Sequence, residues 1–489
     1  MSPQPRLRRR EMSDGGEWPA QFPPLLARLY AARGAVTLDT AQPRLAQLLP
    51  PDTLSGLAAA RRLLADAIEQ DQHIVVVGDF DCDGATACAV GVRGLRLLGA
   101  RHVSYAVPNR MVHGYGLSPL LVDELAALKP DLLVTVDHGI ACHAGIAAAK
   151  KHGWKVLVTD HHLPGDALPP ADAIVDPNQP GDLFPSKVLA GVGVMFYVLL
   201  ALRRQLREDG RFPAAVPDLS QLLDLVAVGT VADLVPLDTN NRALVGAGLR
   251  RLRAGQGCAG LRALVEVAQR DASRLTAADI GYAIGPRLNA AGRLEDMALG
   301  IECLLTDDLA RARDIAATLN EINGERRAVQ QQMTDEAEHA LSRVAPADGQ
   351  VPAAVCLFDA EWHPGVVGLV ASKMKERLHR PVIAFAPAEP GSGLLRGSAR
   401  SVPGFHIRDA LAAVDARHPQ LIERFGGHAM AAGLSLRIES FPAFAAAFVQ
   451  CAASLLTAEL LQAEVLSDGE LQAGQFDRAT AEALRDAGP

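Results

Sequence analysis

The segment Gly78-Asp79-Phe80-Asp81-Cys82-Asp83-Gly84 packs three aspartates into seven residues, directly after the apolar run Ile74 to Val77. Four consecutive β-branched residues predict a buried strand, and the end of such a strand does not tolerate unpaired carboxylates. Three of them side by side repel one another unless they share a cation. The run therefore predicts a divalent-metal site at the carboxyl end of a sheet strand. A calcium loop opens with the same Asp-x-Asp-x-Asp-Gly string, but it needs a preceding helix and a Glu six residues after the glycine. Here a strand precedes, and Val90 stands at that position. A solvated acidic turn would leave the apolar helical stretch Ala85 to Leu98 unexplained.

At 489 residues the chain is too long for one ordinary core, so two or three domains are expected. Apolar residues at 49% and charged residues at 21% place it among globular proteins. The apolar stretch Val188 to Leu202 is too short to span a bilayer and predicts a buried helix. The basic start (Arg6, Arg8, Arg9, Arg10) is followed by no apolar signal region. Seven cysteines without a Cys-x-x-Cys pair point to free thiols. The expectation is a soluble, cytoplasmic monomer that does not enter a membrane. A net charge of −8 argues against indiscriminate polyanion binding, so any cationic groove must be local. Aromatics at 4% exclude extensive base stacking on rings.

Between Asp71 and Pro177, apolar runs (Ile74–Gly78, Val103–Pro108, Leu132–Val136, Lys155–Thr159, Ala173–Val175) alternate with helical stretches such as Ser118–Leu128 and Ala141–His152. This alternation predicts a parallel sheet covered by helices on both faces. The residues just past the strands are Asp79/Asp81/Asp83, Asn109-Arg110, Asp137-His138, Asp160-His161-His162 and Asp176. One polar residue after a strand is ordinary turn chemistry. Four strands ending in Asp, with His or Arg beside two of them, point instead to a shared ligand crevice along one sheet edge. Asp233, alone in the apolar stretch Leu225 to Pro236, reads equally well as a helix cap or a ligand. Oxygen donors with a minority of imidazole and no Cys suit manganese or magnesium better than structural zinc. So many ligands exceed the needs of one ion. They suggest two ions roughly 3.5–4 Å apart, an arrangement that promotes displacement at phosphorus.

Asp79-Phe80-Asp81-Cys82-Asp83-Gly84, Val136-Asp137-His138-Gly139, Thr159-Asp160-His161-His162 and Ala232-Asp233 resemble the signatures of the DHH phosphoesterase superfamily. Val107-Pro108-Asn109-Arg110, Arg287-Leu288-Asn289-Ala290-Ala291-Gly292-Arg293, Trp362-His363-Pro364-Gly365-Val366-Val367-Gly368 and Gly426-Gly427-His428 narrow the likeness to the RecJ family of bacterial single-strand-specific 5′→3′ DNA exonucleases. The resemblance implies an α/β fold: a parallel-sheet DHH domain joined by a long helix to a smaller α/β DHHA1 domain. The expected divisions are an N-terminal segment 1–70 packing on the catalytic domain, the DHH domain 71–305, a connecting helix 306–348, the DHHA1 domain 349–455 and a remnant 456–489. No run of five short strands follows for the OB-fold barrel that such proteins usually carry.

The resemblance also implies roles. Asp81 would hold one ion, Asp137 would bridge, and Asp83, His161 and Asp233 would hold the second. Asp79 would fill a ligand place that many relatives give to a His where this chain has Val77. His162 would face the scissile phosphate, with Asp160 orienting an imidazole; His138 reads as a local hydrogen-bond partner rather than a ligand. Substrate contacts would come from Asn109, Arg110, Arg287, Asn289, Arg293, Ser398, Arg400, Gly426, Gly427 and His428, with Arg110 and Arg400 on a terminal 5′-phosphate. The implied reaction is metal-dependent release of 5′-mononucleotides from single-stranded DNA in repair and recombination, alongside single-strand-binding protein and a helicase. The alternatives are a superfamily relative acting on short oligonucleotides or cyclic dinucleotides, and a non-catalytic DNA-binding scaffold.

Overall fold

A computed structural model describes residues 5–11, 16–110, 112–344, 351–389 and 391–488, which fall into two compact units. The larger unit holds residues 12–323 and 471–489, within those described, and is built on a five-stranded parallel sheet. In sheet order its strands are Val103–Ala106, Ile74–Val77, Leu132–Val136, Lys155–Thr159 and Ala173–Val175. Every pairing is parallel, with Val77 opposite Thr135 and Val136 opposite Thr159, so all five carboxyl ends lie along one edge.

The Ile74–Val77 run is continuous in β-branched residues because both faces of the strand are covered. Val75, Val77 and Leu133 pack with Leu121, Val122, Ile146 and Trp154 on one face. Ile74, Val76 and Leu132 join the main core on the other, against the helices Cys82–Leu97 and Gly191–Glu208. The expected parallel sheet with helices on both sides is what forms, and Val188 to Leu202 supplies most of a buried helix. Helices Leu223–Ala232, Thr239–Arg253, Ala259–Val267, Gly285–Leu294 and Ala298–Leu305 are among those that build the rest of the unit.

A 36-residue helix, Leu309–Val344, carries the chain out of this unit, and the two units divide within it, at Asn323 and Gly324. The smaller unit has a mixed sheet in the order Arg424–Gly427, Ala431–Arg437, Leu394–Arg400, Val382–Pro387 and Val355–Phe358. Only its last two strands run parallel. Arg396 to Ser401 and Gly426-Gly427 have the small, polar composition of loops. They lie instead largely within strands, because ladder bonds and a covering helix outweigh the low strand preference of Gly and Ser. The apolar helix Phe441–Leu455 packs Phe444 and Phe448 into this unit's core. With the three residues before it, it is long and apolar enough to cross a membrane.

The ends of the chain divide between the units differently from the expected segments. Arg6–Arg9 pairs in parallel with Glu464–Ser467 in the smaller unit, whereas the Tyr30 hydroxyl donates to the Ala487 carbonyl in the larger one.

Candidate metal centre

Each acidic loop follows from how its strand hands over to the next helix. After Val77 the chain turns, and Asp81 caps the helix Cys82–Leu97 by accepting from the Gly84 amide at 3.0 Å. Gly84 is required there, since a Cβ would lie 2.5 Å from the Asp79 nitrogen. Asp79 is buried and accepts from the Phe80 amide at 2.8 Å. Asp83, in the first helical turn, accepts from the Gly191 and Val192 amides at 2.7 and 3.0 Å. The start of a second helix therefore faces it. A Cβ on Gly191 would come within 2.5 Å of Asp137, so only glycine lets that helix approach both carboxylates.

Asp137 leaves its strand in a left-handed conformation (φ 65°), with its amide bonded to the Thr159 carbonyl at 3.0 Å. Such a backbone is uncommon outside glycine and costs free energy that the surrounding loop must supply. The turn brings Asp137 Oδ1 to 3.1 Å from His161 Nε2, which is itself 3.5 Å from Asp233 Oδ2. Asp137 Oδ1 and His161 Nε2 are both buried, and neither has a hydrogen-bond partner among the described residues. Two orphaned donor atoms converging with further carboxylates are what a bound cation would satisfy. Three groups have ligand atoms within 4.8 Å of one another: Asp79, Asp81 and Asp137; Asp83, His161 and Asp233; and Asp137, His161 and His162. All six residues expected to hold metal are thus gathered, and Asp137 belongs to two of the groups.

The electrostatics fit that reading. Burial, reinforced by the charge of Asp81, pushes Asp79 up to about 8 and Asp83 up to about 7. Burial and the charge of Asp83 raise Asp233 to about 8, and Asp137 is pushed well above the carboxylate range for the same reasons. Burial lowers His161 to about 4, leaving a neutral imidazole with a lone pair to offer. Protons hold these acids together in the absence of cations; cations replace them.

Asp160 and His162 form a separate unit. Asp160 accepts from the His161 and His162 amides, the Ile140 amide and the His162 ring, the last at 2.7 Å. Burial would raise Asp160, but these bonds win and hold it well below the carboxylate range. Burial would lower His162, and the Asp160 bond reverses this and raises it to about 9. The result is an imidazolium whose Nε2 lies 3.4 Å from the Tyr115 hydroxyl.

Tyr115 and Phe80 are site residues that the sequence reading missed. Their rings meet edge to face at 5.8 Å, and the Arg110 guanidinium lies over Phe80 at 3.9 Å. Asp79 and Asp81 act electrostatically on Arg110. In a chain so poor in aromatics, a tyrosine between two glycines (Gly114 and Gly116) shortly after Asn109-Arg110 was the available signal. Asp176 ends its strand as a loop anchor, accepting from the Asn178 amide, while the Asn178 side chain donates to the His161 carbonyl at 2.6 Å.

The expected substrate residues divide. Asn109 caps its own turn by accepting from the Val112 amide, and Asn289 accepts from the Cys82 amide at 2.8 Å, which places it under the aspartate loop as a support. Arg287 bonds to Asn320 and the Ala283 carbonyl. Arg293 shares the Gly285–Leu294 helix, in which a Cβ on Gly292 would strike the Phe80 carbonyl. In the smaller unit, Arg396, Ser398 and Arg400 alternate onto one face of their strand, and Arg400 donates to Ser398 Oγ at 2.9 Å. Ser398 pairs across the sheet with Gly433, and Gly433 with Gly426. A Cβ on Gly368, at the start of the helix Val367–Leu378, would come within 2.9 Å of both Ser398 and Arg400. Gly427 (φ 140°) leads into an exposed His428, whose amide donates to the Ala431 carbonyl.

Residues 73–230 match the DHH family, N-terminal domain, and residues 349–454 match the DHHA1 domain. The chain is 51% identical to the single-stranded-DNA-specific exonuclease RecJ of Salmonella typhimurium, over the whole chain and 85% of that relative. Crystal structures of Thermus thermophilus RecJ resemble it as well. The complex with Mn2+ has a TM-score of 0.79 at 33% identity, covering 97% of this chain and 68% of that one. The complex with Mg2+ has a TM-score of 0.72 at 31% identity, covering 96% and 66%. With both domains matched and half the residues shared along the full length, this chain belongs to the RecJ family of DHH–DHHA1 proteins.

Proposed function

We propose that the chain is a metal-dependent exonuclease that hydrolyses single-stranded DNA from the 5′ end and releases 5′-mononucleotides. The observation that carries this is that Asp137 belongs both to the acidic group with Asp79 and Asp81 and to the group with His161 and His162, through a buried carboxylate oxygen 3.1 Å from His161 that has no hydrogen-bond partner among the described residues. Asp79 and Asp81 would hold one ion, Asp83, His161 and Asp233 the other, and Asp137 both. Lewis acidity for attack on a phosphodiester is what two Mn2+ or Mg2+ ions supply when bound. The protein's own part is to position and to balance charge. Asp160 keeps His162 protonated, with Nε2 directed outward to meet a phosphate oxygen. Arg110, flattened on Phe80, presents a guanidinium to a neighbouring phosphate. In the smaller unit, Ser398, Arg400 and His428 offer further contacts to the DNA backbone, and Arg287 and Arg293 do so from the larger one. Single-strand-binding protein and a repair helicase fit this role as partners.

The test is release of mononucleotides from a 5′-labelled single strand, compared with blunt duplex and with a dinucleotide, with and without Mn2+. Comparable digestion of the duplex would remove the single-strand specificity. A preference for the dinucleotide would favour the short-oligonucleotide relatives.

Arg110→Ala and Arg400→Ala separate substrate binding from metal binding. Each removes a charge-assisted bond of about 1.5–3 kcal/mol, so KM for a 5′-phosphorylated strand should rise about 10–100-fold. Mn2+ affinity, measured by electron paramagnetic resonance, should stay close to that of the parent chain. A variant that lost Mn2+ yet kept its grip on DNA would show the assignment to be wrong.

A further inference from the structure

His138 is fully buried, directly follows Asp137, and has no part in the chemistry described above. Its Nε2 lies 3.0 Å from the Val77 carbonyl oxygen. A carbonyl only accepts, so Nε2 carries the hydrogen. The other ring nitrogen, Nδ1, is buried with no hydrogen-bond partner among the described residues, on the side where a Cβ on Gly116 would approach to 3.5 Å. The bond to Val77 is therefore made through Nε2–H, and it anchors the ring.

The position of this bond gives it a consequence. Val77 is the last residue of the strand that opens into Gly78 and Asp79. Asp137 stands in a left-handed conformation, uncommon outside glycine, tied on one side to Thr159 through its amide. His138 forms an isolated backbone bridge to the same Thr159. The imidazole is the tie on the opposite side, toward the strand that delivers Asp79, Asp81 and Asp83. We propose that His138 is a positioning residue: its Nε2–H, anchored on the Val77 carbonyl, holds the Asp137 turn against the aspartate loop and so sets the spacing of the carboxylates that receive the cations. The inference rests on the metal reading of Asp137 made above.

The experiment is a Mn2+ titration by electron paramagnetic resonance on the full chain and on His138→Phe and His138→Gln. Phenylalanine keeps the ring but removes the donor, whereas a glutamine amide can reach the same carbonyl. His138→Phe should bind Mn2+ about 10–100-fold more weakly, the cost usual for loss of a group supporting a metal site. His138→Gln should recover most of that loss, and KM for DNA should not change in either. Equal Mn2+ affinity in all three proteins would overturn the proposal, as would an equal loss in both variants, which would mark a packing role alone. Failure of the unsubstituted chain to bind Mn2+ would instead sink the metal reading itself. Should His138→Phe not fold, ¹⁵N-histidine spectra of the unsubstituted protein decide the matter. They should contain an Nε2–H signal that disappears in His138→Gln; a neutral Nδ1–H tautomer at that residue, with Nε2 unprotonated, would refute the bond.

Discussion

Asp137→Asn should lose at least about 10³-fold in turnover, corresponding to roughly 4 kcal/mol of transition-state stabilisation, and should bind fewer than two Mn2+ per chain. The substitution is nearly isosteric, so the loss would report the missing negative charge and not a cavity. Asp137 alone belongs both to the group with Asp79 and Asp81 and, through His161, to a second group. An amide cannot bridge two cations as a carboxylate does. The same variant should be more stable than the parent in the absence of metal. Asparagine tolerates the left-handed backbone as readily as aspartate, and it needs no proton to join the buried set, whereas burial forces the aspartate to take one up. Opposite signs for turnover and metal-free melting temperature would identify a site where function is kept at the expense of stability. Single-turnover kinetics and calorimetry in EDTA measure the two quantities. Near-normal turnover in Asp137→Asn would contradict the bridging role, and a lower melting temperature would contradict the electrostatic account.

The metal side of this molecule was legible in the sequence because parallel strands declare themselves twice. Ile74–Val77 and Leu132–Val136 are continuous apolar runs, and the acids that follow them must share one edge once the strands are parallel. What the sequence could not convey is which atoms the turns bring together. The left-handed Asp137 and the approach of Gly191 to two carboxylates are three-dimensional facts with no local signature. Asn289 shows a second role that the sequence did not declare. Its place in a motif suggested a phosphate contact, and its side-chain oxygen also accepts from the Cys82 amide. The strands of the smaller unit were harder to read, because Arg396-Gly397-Ser398 and Gly426-Gly427 have turn-like composition. They are held in a sheet by neighbours that arrive from far along the chain.

The metal-free protein should become less stable as pH rises from about 6.5 to 8, the reverse of ordinary acid denaturation. Asp79 and Asp233, raised to about 8, and Asp83, raised to about 7, keep protons in the folded chain that they lose near pH 4 when unfolded. His162, raised to about 9, acts in the same direction, since it is protonated when folded and neutral when unfolded above about 6.5. His161 and His138, lowered to about 4, act in the opposite direction, but only below their unfolded value of about 6.5. Above that value the folded chain holds the excess of protons, and stability falls with pH. One retained proton across this interval is worth about 2 kcal/mol, enough to lower the melting temperature of the larger unit by several degrees. Saturating Mn2+ should reverse the trend. The carboxylates then keep their charge against the cations, binding releases the protons, and affinity grows with pH. The gain in melting temperature on adding Mn2+ should therefore be larger at pH 8 than at pH 6.5. Calorimetry at both pH values, in EDTA and in Mn2+, makes the comparison. A metal-free melting temperature that stayed level or rose over this range would mean that the acids carry their charges without cations, and the electrostatic basis of the site would have to be abandoned.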